Sequence, residues 1–289
     1  MNRRDETFTV CLTHDVDRVR KTYQYITHDL RQGKVKNIPI IFRQPDPYWN
    51  FDTIMRIEEK YKVRSTFFFL HESIRPKLLS LKSWILAFGR YKFTEPEVAR
   101  TIKVLDAGGW EIGLHGSYNS YLNEVLLKRE KECLESVLGK PVIGVRQHYL
   151  NLIIPETWKI HENSGFSYDA TFGMKKDIGF LEDRYGPFIY PGRKLVILPL
   201  ALMDGNLFLK ANDDIKVAWK LVVDLIDLAE KKDACLSVLW HQRVFNDNEF
   251  PGYTDIYQKI IAECQRRGAR FLTCRQVLEK YLLNKGAYQ

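Results

Sequence analysis

The sequence predicts an α/β fold built on a mostly parallel sheet. Strand-like apolar runs alternate with segments whose apolar residues recur at helical spacing, the usual pattern of parallel strands joined by helices. Polar residues capable of chemistry follow several of these strands, at the end where parallel sheets form their sites. The chain has 289 residues, 45% of them hydrophobic, so it can bury the core of one barrel or of two smaller domains.

The first predicted strand ends in a cluster of polar residues. The stretch Leu12–Asp17 reads Leu-Thr-His-Asp-Val-Asp and follows the strand-like run Thr7–Cys11. Two carboxylates and an imidazole at the end of a buried strand resist desolvation, so a cation or a catalytic role should compensate them. The alternative is a polar exit loop whose aspartates cap the next helix. Residues 18–50 are basic and interrupted by prolines, which predicts a helix and then a long active-site loop.

The next part of the chain predicts two more strands. The aromatic run 65–70 is bounded by charge, as expected of a strand buried on both faces, and the run 110–114 leads directly to His115. Helical patterns cover 51–61, 73–92 and 94–107, and the last of these begins with the capping-box pattern Thr94-x-x-Glu97.

The rest of the chain repeats this alternation. Strands are predicted over 142–145, 195–199, 234–240 and 269–272. Helices are predicted over 122–138, 155–163, 213–231 and 254–267, and a final helix runs from the last strand to 283. Each polar residue at a strand end has a structural explanation when taken alone, but their shared position at one edge of the sheet is a specific signal. These residues are Asp15, Asp17, His115, Arg146, His148, Asp169 and His241.

The net charge of +8 is concentrated in two segments. Residues 18–47 hold seven Lys or Arg and two Asp, and residues 73–92 hold five Lys or Arg and no acid. A solvated face explains such runs, and the alternative is an anionic substrate, a phospholipid surface or nucleic acid. No zinc-finger, RNP or helix-turn-helix pattern is present, so a nucleic-acid partner is not expected. The amphipathic pattern of 73–92 leaves peripheral membrane contact open.

The cysteines and the first residues indicate a cellular compartment. The five cysteines lack CxxC spacing and are odd in number, which predicts free thiols in a reducing environment rather than disulfides or structural zinc. No apolar run approaches the ~20 residues of a membrane span, and the first residues have no apolar signal region. We therefore expect a cytoplasmic protein.

Six motifs follow one another along the chain: Thr13–Asp17, Ser65–Phe69, Glu111–His115, Arg146-x-x-Tyr149, Tyr168-Asp169 and Leu236-x-x-x-Trp240-His241. In this order they resemble the motifs of the polysaccharide deacetylases, carbohydrate esterase family four. The resemblance implies a single catalytic domain over 1–289 that folds as a distorted (β/α) barrel of about seven mostly parallel strands. It also implies hydrolysis of N-acetyl or O-acetyl groups on a sugar with one divalent metal ion, zinc being the expected metal.

The resemblance implies a metal site at Asp17 and His115. The family usually has a second histidine four residues after the first, and this chain has Asn119 there. An amide oxygen can bind a hard divalent ion but is a poorer zinc ligand than imidazole. The third ligand therefore stays open among Asn119, His14 and His148.

The resemblance also implies catalytic roles. Asp15 matches the general base and Arg146 the arginine that holds it, although the proline that usually follows this arginine is absent. His241 matches the general acid and Asp169 its carboxylate partner; Arg146 and Asp169 could instead form a structural ion pair. The residues expected to contact the sugar are His148, Tyr149 and Trp240.

Two other functions fit the same residues. Asn119 favours a non-catalytic carbohydrate-binding or assembly module that has lost the metal, and a metal-independent amidohydrolase is the third possibility. For the enzyme, the basic segments and the absence of a signal region favour an anionic or lipid-linked N-acetylated sugar over a secreted polymer. The oligomeric state cannot be predicted from these patterns.

Overall fold

Ten strands form one sheet within residues 8–22, 46–74, 76, 78–87 and 89–286, which the computed structural model describes. The strands are β1 Thr9–Val16, β2 Thr66–Leu70, β3 Glu111–Gly116, β4 Gly144–Gln147, β5 Tyr168–Asp169, β6 Phe188–Ile189, β7 Val196–Ile197, β8 Leu202–Met203, β9 Cys235–Leu239 and β10 Arg270–Phe271.

The sheet is a curled half-barrel of mostly parallel strands. Its order is β6-β7-β5-β4-β3-β2-β1-β9-β8, with β10 added beside β1. Each of these pairings is parallel except that of β6 with β7. The predicted distorted (β/α) barrel is thus confirmed. Three strands of two residues, β5, β6 and β8, were missed in the sequence because two residues are too few to show a period, whereas the equally short β7 and β10 lie within the predicted runs 195–199 and 269–272.

The helices connect these strands. They are α1 Phe51–Tyr61, α2 Leu81–Ala87, α3 Pro96–Ala107, α4 Glu124–Leu138, α5 Glu156–Asn163, α6 Asp204–Lys210, α7 Ile215–Lys231, α8 Tyr253–Arg266 and α9 Cys274–Asn284. The predicted capping box at Thr94 is wrong: α3 begins at Pro96 after Glu95 and has no side-chain cap. Proline at the first helical position has a fixed φ and no N–H to satisfy, so it starts the helix without a cap. A capping box forms instead at Thr273 and Gln276, before α9.

β1 is the central strand of the site. Its second half, Thr13–Val16, pairs with β2, its first two residues pair with β10, and β9 runs along its other edge. All eight residues are buried. Because side chains alternate across a strand, His14 and Asp15 face opposite sides. Asp17 follows the strand directly, so β1 brings two carboxylates to one end of the sheet.

Part of the predicted basic surface lies outside the described residues. Of the predicted loop over 18–50, residues 23–45 are not described. In the second basic segment, Leu78 and Leu79 are 91% and 99% exposed, and peripheral membrane contact of this segment stays a prediction. None of the described helices is both long and apolar enough to span a membrane.

Candidate active site

Arg146 and Asp15 form a buried ion pair at the centre of the site. Arg146 lies on β4 and its Nη1 donates to Asp15 Oδ1 on β1, at 2.9 Å. Between these strands, its guanidinium passes 4.6 Å from the ring of Phe68 on β2. Its Nε donates to the carbonyl of Ala170 at 2.9 Å. A buried charge pair is stable only when its atoms are also hydrogen-bonded, and these contacts fix the direction of the Asp15 carboxylate.

Asp17, His115 and His148 form a group that could hold a metal ion. One donor atom from each lies within 4.8 Å of the others. Nε2 of His115 is 3.3 Å from Asp17 Oδ1, and Nε2 of His148 is 3.7 Å from it. Nδ1 of His115 lies 2.9 Å from the carbonyl oxygen of Arg146. A carbonyl only accepts, so Nδ1 carries a proton, and Nε2 faces the site, where it could bind an ion through its lone pair.

The charge state of this group fits a divalent cation. Burial opposes ionisation of Asp17, but contact with His115 and the charge of His241 hold its pKa well below the usual range. Burial lowers the pKa of His148 to about 3, so its imidazole is neutral, the form that binds metals. Asp17 Oδ1 is buried and has no hydrogen-bond partner among the described residues. A carboxylate oxygen in that position needs a cation.

The structure brings His148 to this group, and neither Asn119 nor His14. Asn119 is exposed, at the start of the short 3₁₀ helix Ser120–Leu122, and is not among the residues that line the cavity. The prediction of Asn119 as a ligand is therefore wrong. His14 faces the core, where its Nδ1 is 2.6 Å from the carbonyl of Trp240 and its Nε2 2.9 Å from Glu58.

The backbone turns sharply directly after His148. Tyr149 and Leu150 have φ angles of 59° and 48°, in the left-handed region that residues with a side chain rarely adopt. Each such residue costs on the order of 1 kcal/mol, and strain of this kind collects at functional sites. The turn leaves Tyr149 55% exposed beside the cavity while Leu150 is buried.

Asp204 is the carboxylate that holds His241. Nδ1 of His241 lies 2.8 Å from Asp204 Oδ1, and its backbone N–H donates to Oδ2 at 2.7 Å. Nε2 of His241 faces Asp17 Oδ2 at 3.7 Å. The residue was missed in the sequence, although it follows an apolar run, Leu200–Met203, just as the predicted site residues follow theirs.

The prediction that Asp169 partners His241 is wrong. Asp169 accepts hydrogen bonds from the backbone N–H of Thr171, at 2.9 Å, and from its hydroxyl, at 2.6 Å. Its Oδ2 also lies 2.9 Å from Nδ1 of His161, which is completely buried in α5. Both carboxylate oxygens are therefore engaged within the core, where they hold the chain after β5. Arg146 pairs with Asp15, so the alternative pairing of Arg146 with Asp169 is not seen either.

These groups surround one cavity of about 230 Å³. The prediction that Trp240 contacts the sugar is wrong: its ring is completely buried and packs on Phe208, Tyr253 and Tyr257. Trp240 precedes His241, and the alternation of side chains along the strand turns it into the core. The lining residues are Asp15, Asp17, His115, His148, Tyr149, Leu150, Lys175, Met203, Leu239, His241 and Arg243.

Comparison with known proteins finds similarity in structure. Neither a protein-family model nor a curated protein matches the sequence. A protein from Mycobacterium smegmatis, named provisionally as a polysaccharide deacetylase, matches with 19% identity and a TM-score of 0.65, over 99% of this chain and 94% of its own. A protein from Pseudomonas aeruginosa PAO1 with the same provisional name matches with 13% identity and a TM-score of 0.64, over 96% and 92%.

Two further similar structures belong to proteins of different function. The peptidoglycan N-acetylglucosamine deacetylase Bc1960 is 13% identical, with a TM-score of 0.52 over 94% of this chain and 88% of its own. The Bacillus anthracis protein BA3943, a CE4 family pseudoenzyme, is also 13% identical, with a TM-score of 0.52 over 95% and 66%. At these identities the comparison establishes a shared fold, and that fold occurs in an enzyme and in a pseudoenzyme.

Proposed function

We propose that this chain, which has the fold of the polysaccharide deacetylases of family CE4, is a metal-dependent hydrolase that removes an acetyl group from an N-acetylated or O-acetylated sugar. One observation carries the proposal. The cavity holds a fixed carboxylate, Asp15, beside an Asp-His-His group and opposite an imidazole with its own carboxylate. Hydrolysis of an amide needs these three parts: a base, an electrophilic centre and an acid.

Asp17, His115 and His148 are the residues that would hold the ion. One carboxylate and two imidazoles leave a coordination position of the ion open for substrate, as in catalytic zinc sites. This set of ligands supports zinc as the metal. The ion would lower the pKa of a water molecule and polarise the acetyl carbonyl. Asp17 contributes the negative charge, while the hydrogen bond of His115 to the carbonyl of Arg146 fixes its tautomer.

Asp15 is the proposed general base. Its carboxylate lies 3.6 Å from Nε2 of His115, so a water molecule beside the metal group lies within its reach. Arg146 holds Oδ1 of Asp15 and leaves Oδ2 directed to the site, because Oδ1 accepts the hydrogen bond from Nη1. Asp15 therefore takes the proton of the attacking water in this proposal.

His241 is the proposed general acid. Burial opposes a charged imidazole, but the carboxylates of Asp204 and Asp17 raise the pKa of His241 to about 9. Nδ1 is held by Asp204, so the proton on Nε2 is the one available to the leaving nitrogen or oxygen. Tyr149, exposed at the edge of the cavity, offers a ring for the sugar face.

The alternative is a non-catalytic carbohydrate-binding or assembly module. Two observations favour it: Asn119 replaces the usual histidine of the family, and a pseudoenzyme has this fold. His148 counters the first, because it supplies a third donor. A metal-independent amidohydrolase would keep Asp15 and His241 but need no ion. The single domain over 1–289 and the cytoplasmic location stay predictions.

A measurement of acetate release distinguishes these three candidate functions. Protein stripped of metal and then loaded with one equivalent of zinc is incubated with N-acetylglucosamine oligomers and with an O-acetylated xylan. We expect acetate release that needs zinc and is lost in the Asp15→Asn variant. Release that persists with chelator supports the metal-independent hydrolase. Sugar binding without release from either substrate supports the module and overturns our proposal.

A further inference from the structure

We propose that Arg243 recognises an anionic group, a phosphate or a carboxylate, on the substrate. This inference deepens the proposed function because it assigns the substrate class of the same cavity. Arg243 lies two residues after His241, in the short 3₁₀ helix Gln242–Phe245, and lines the cavity with the residues described above. The short helix therefore places a guanidinium next to the general acid.

The guanidinium of Arg243 has no hydrogen bond or ion pair among the described residues, and its Nε is buried. Arg243 is half-buried, and arginine side chains that are partly removed from water are usually paired, because an uncompensated charge there is costly. Arg146, the fully buried arginine of the site, donates from Nε and Nη1 to three oxygen atoms. Arg243 thus has hydrogen-bonding capacity that the protein itself does not use.

The acids around Arg243 already have partners of their own. Asp204 is bound by His241, and Asp15 by Arg146. Glu249 accepts hydrogen bonds from Nζ of Lys21, at 2.7 Å, and from the Tyr48 hydroxyl.

Asp17 and Asp204 attract Arg243 across the cavity, but neither forms an ion pair with it in the described part of the chain. Asp17 is also a metal ligand in the proposed function. Balancing the charge of these acids therefore does not account for the position of Arg243.

Lys175 adds a second free cation to the cavity. It is exposed, lines the cavity and has no hydrogen bond or ion pair in the ranges that the structure describes. A neutral glycan has no charge to balance two unpaired cations beside its acetyl group. A phosphate or carboxylate would pair with the planar donor face of Arg243 in charge-assisted hydrogen bonds. The cavity is therefore suited to an N-acetylated sugar with a negative charge near the acetyl group.

Calorimetry on the zinc-loaded protein tests this inference. The probes are N-acetylglucosamine, N-acetylglucosamine 6-phosphate and N-acetylmuramic acid, which are neutral, phosphorylated and carboxylated. All proteins carry Asp15→Asn to prevent turnover. We expect at least one anionic sugar to bind about tenfold or more tightly than the neutral one, as a charge-assisted contact allows. The anionic sugar that binds more tightly shows whether the recognised group is a phosphate or a carboxylate.

Arg243→Gln should abolish that preference and leave the affinity for the neutral sugar and for zinc within about twofold. Arg243→Lys should retain part of the preference, because it keeps the charge without the planar face. Lys176→Gln is the matched control: Lys176 is exposed and next in sequence to Lys175 but does not line the cavity, so its loss should change nothing. Thermal unfolding checks that each variant is folded.

Equal affinity of the parent protein for all three sugars would overturn the inference. A preference for the anionic sugar that persists in folded Arg243→Gln would also overturn the inference. If Arg243→Gln does not fold, an undiminished preference in Arg243→Lys would overturn it instead. Because binding is measured without turnover, the result is independent of acetate release. Anion binding through Arg243 in a protein that releases no acetate would overturn the proposed function and support this inference.

Discussion

Asp204 holds His241 by the imidazole and by the backbone at once: Nδ1 lies 2.8 Å from Oδ1, and the backbone N–H donates to Oδ2 at 2.7 Å. The two contacts leave the imidazole one orientation, with Nε2 directed to the cavity. They also make the protonation of His241 depend on one carboxylate. This arrangement predicts how the proposed activity varies with pH.

Asp204→Asn should move the alkaline limb of the pH profile of kcat to lower pH. A general acid acts only when protonated, so activity falls as pH rises through its pKa. Asp204 is the main contribution that raises the pKa of His241 from 6.5 to about 9, and its removal should shift the limb by at least about one pH unit. Asp169→Asn is the control, because Asp169 contacts Thr171 and His161 instead. An unshifted limb in Asp204→Asn would contradict the role of His241.

Asp17→Asn and His148→Ala should both impair zinc binding. Asp17 supplies the carboxylate of the metal group and His148 its third donor. We expect Asp17→Asn to abolish binding and His148→Ala to weaken it at least about tenfold, since a zinc site needs three protein ligands. Titration of the metal-free proteins with zinc measures both. Asn119→Ala should bind zinc like the parent, and a clear loss in that variant would restore Asn119 as a ligand.

Asp15→Asn should lower kcat by about 10² to 10⁴, the usual cost of losing a general base. Its zinc affinity should stay within a few-fold, because Asp15 is not one of the three donors. The two measurements are made on the same preparation, after thermal unfolding has shown that the fold survives the loss of the partner of Arg146. Turnover close to that of the parent on an accepted substrate would exclude Asp15 as the base.

Glu130→Gln should reduce the pH dependence of stability. Burial, together with the charge of Glu72, raises the pKa of Glu130 from 4.5 to about 8. Between these values the unfolded chain loses a proton that the folded protein keeps, so Glu130 makes stability fall as pH rises from about 4.5 to about 8. The neutral amide removes this dependence.

Urea unfolding at pH 5, 6.5 and 8 measures the effect. The stability of Glu130→Gln relative to the parent should be higher at pH 8 than at pH 5. Glu124→Gln, a change on the exposed face of the same helix, should show no such trend. A difference between Glu130→Gln and the parent that is constant across the three pH values would show that Glu130 is ionised in the folded protein.

Much of the site could be predicted because parallel strands share an edge. Asp15, Asp17, His115, Arg146, His148 and His241 each follow or end a strand, and the structure places them around one cavity or in its wall. The same logic failed for Asp169. It ends a strand like the others, but the neighbouring Thr171 and the buried His161 satisfy its carboxylate. The position of a residue along a strand predicts which edge of the sheet it reaches, but it does not predict which residue it contacts there.

The remaining errors have local causes. Asp204 was missed because its strand, Leu202–Met203, is too short to show a period. The third ligand could not be chosen because the choice depends on the left-handed turn at Tyr149 and Leu150. Residues with side chains rarely adopt left-handed backbone conformations, so no local sequence pattern predicts this turn.

The pairing of β1 has a consequence for the biosynthesis of this protein. One edge of β1 pairs with β9 and the start of the other with β10, and both partners lie in the last quarter of the chain. The strand that carries Asp15 leaves the ribosome well before β9 and β10, so it completes its hydrogen bonds only after they have emerged. Pairing across such a sequence distance is slow, and open strand edges promote aggregation. A nascent chain that ends before β9 would therefore expose one edge of β1 and be prone to aggregation.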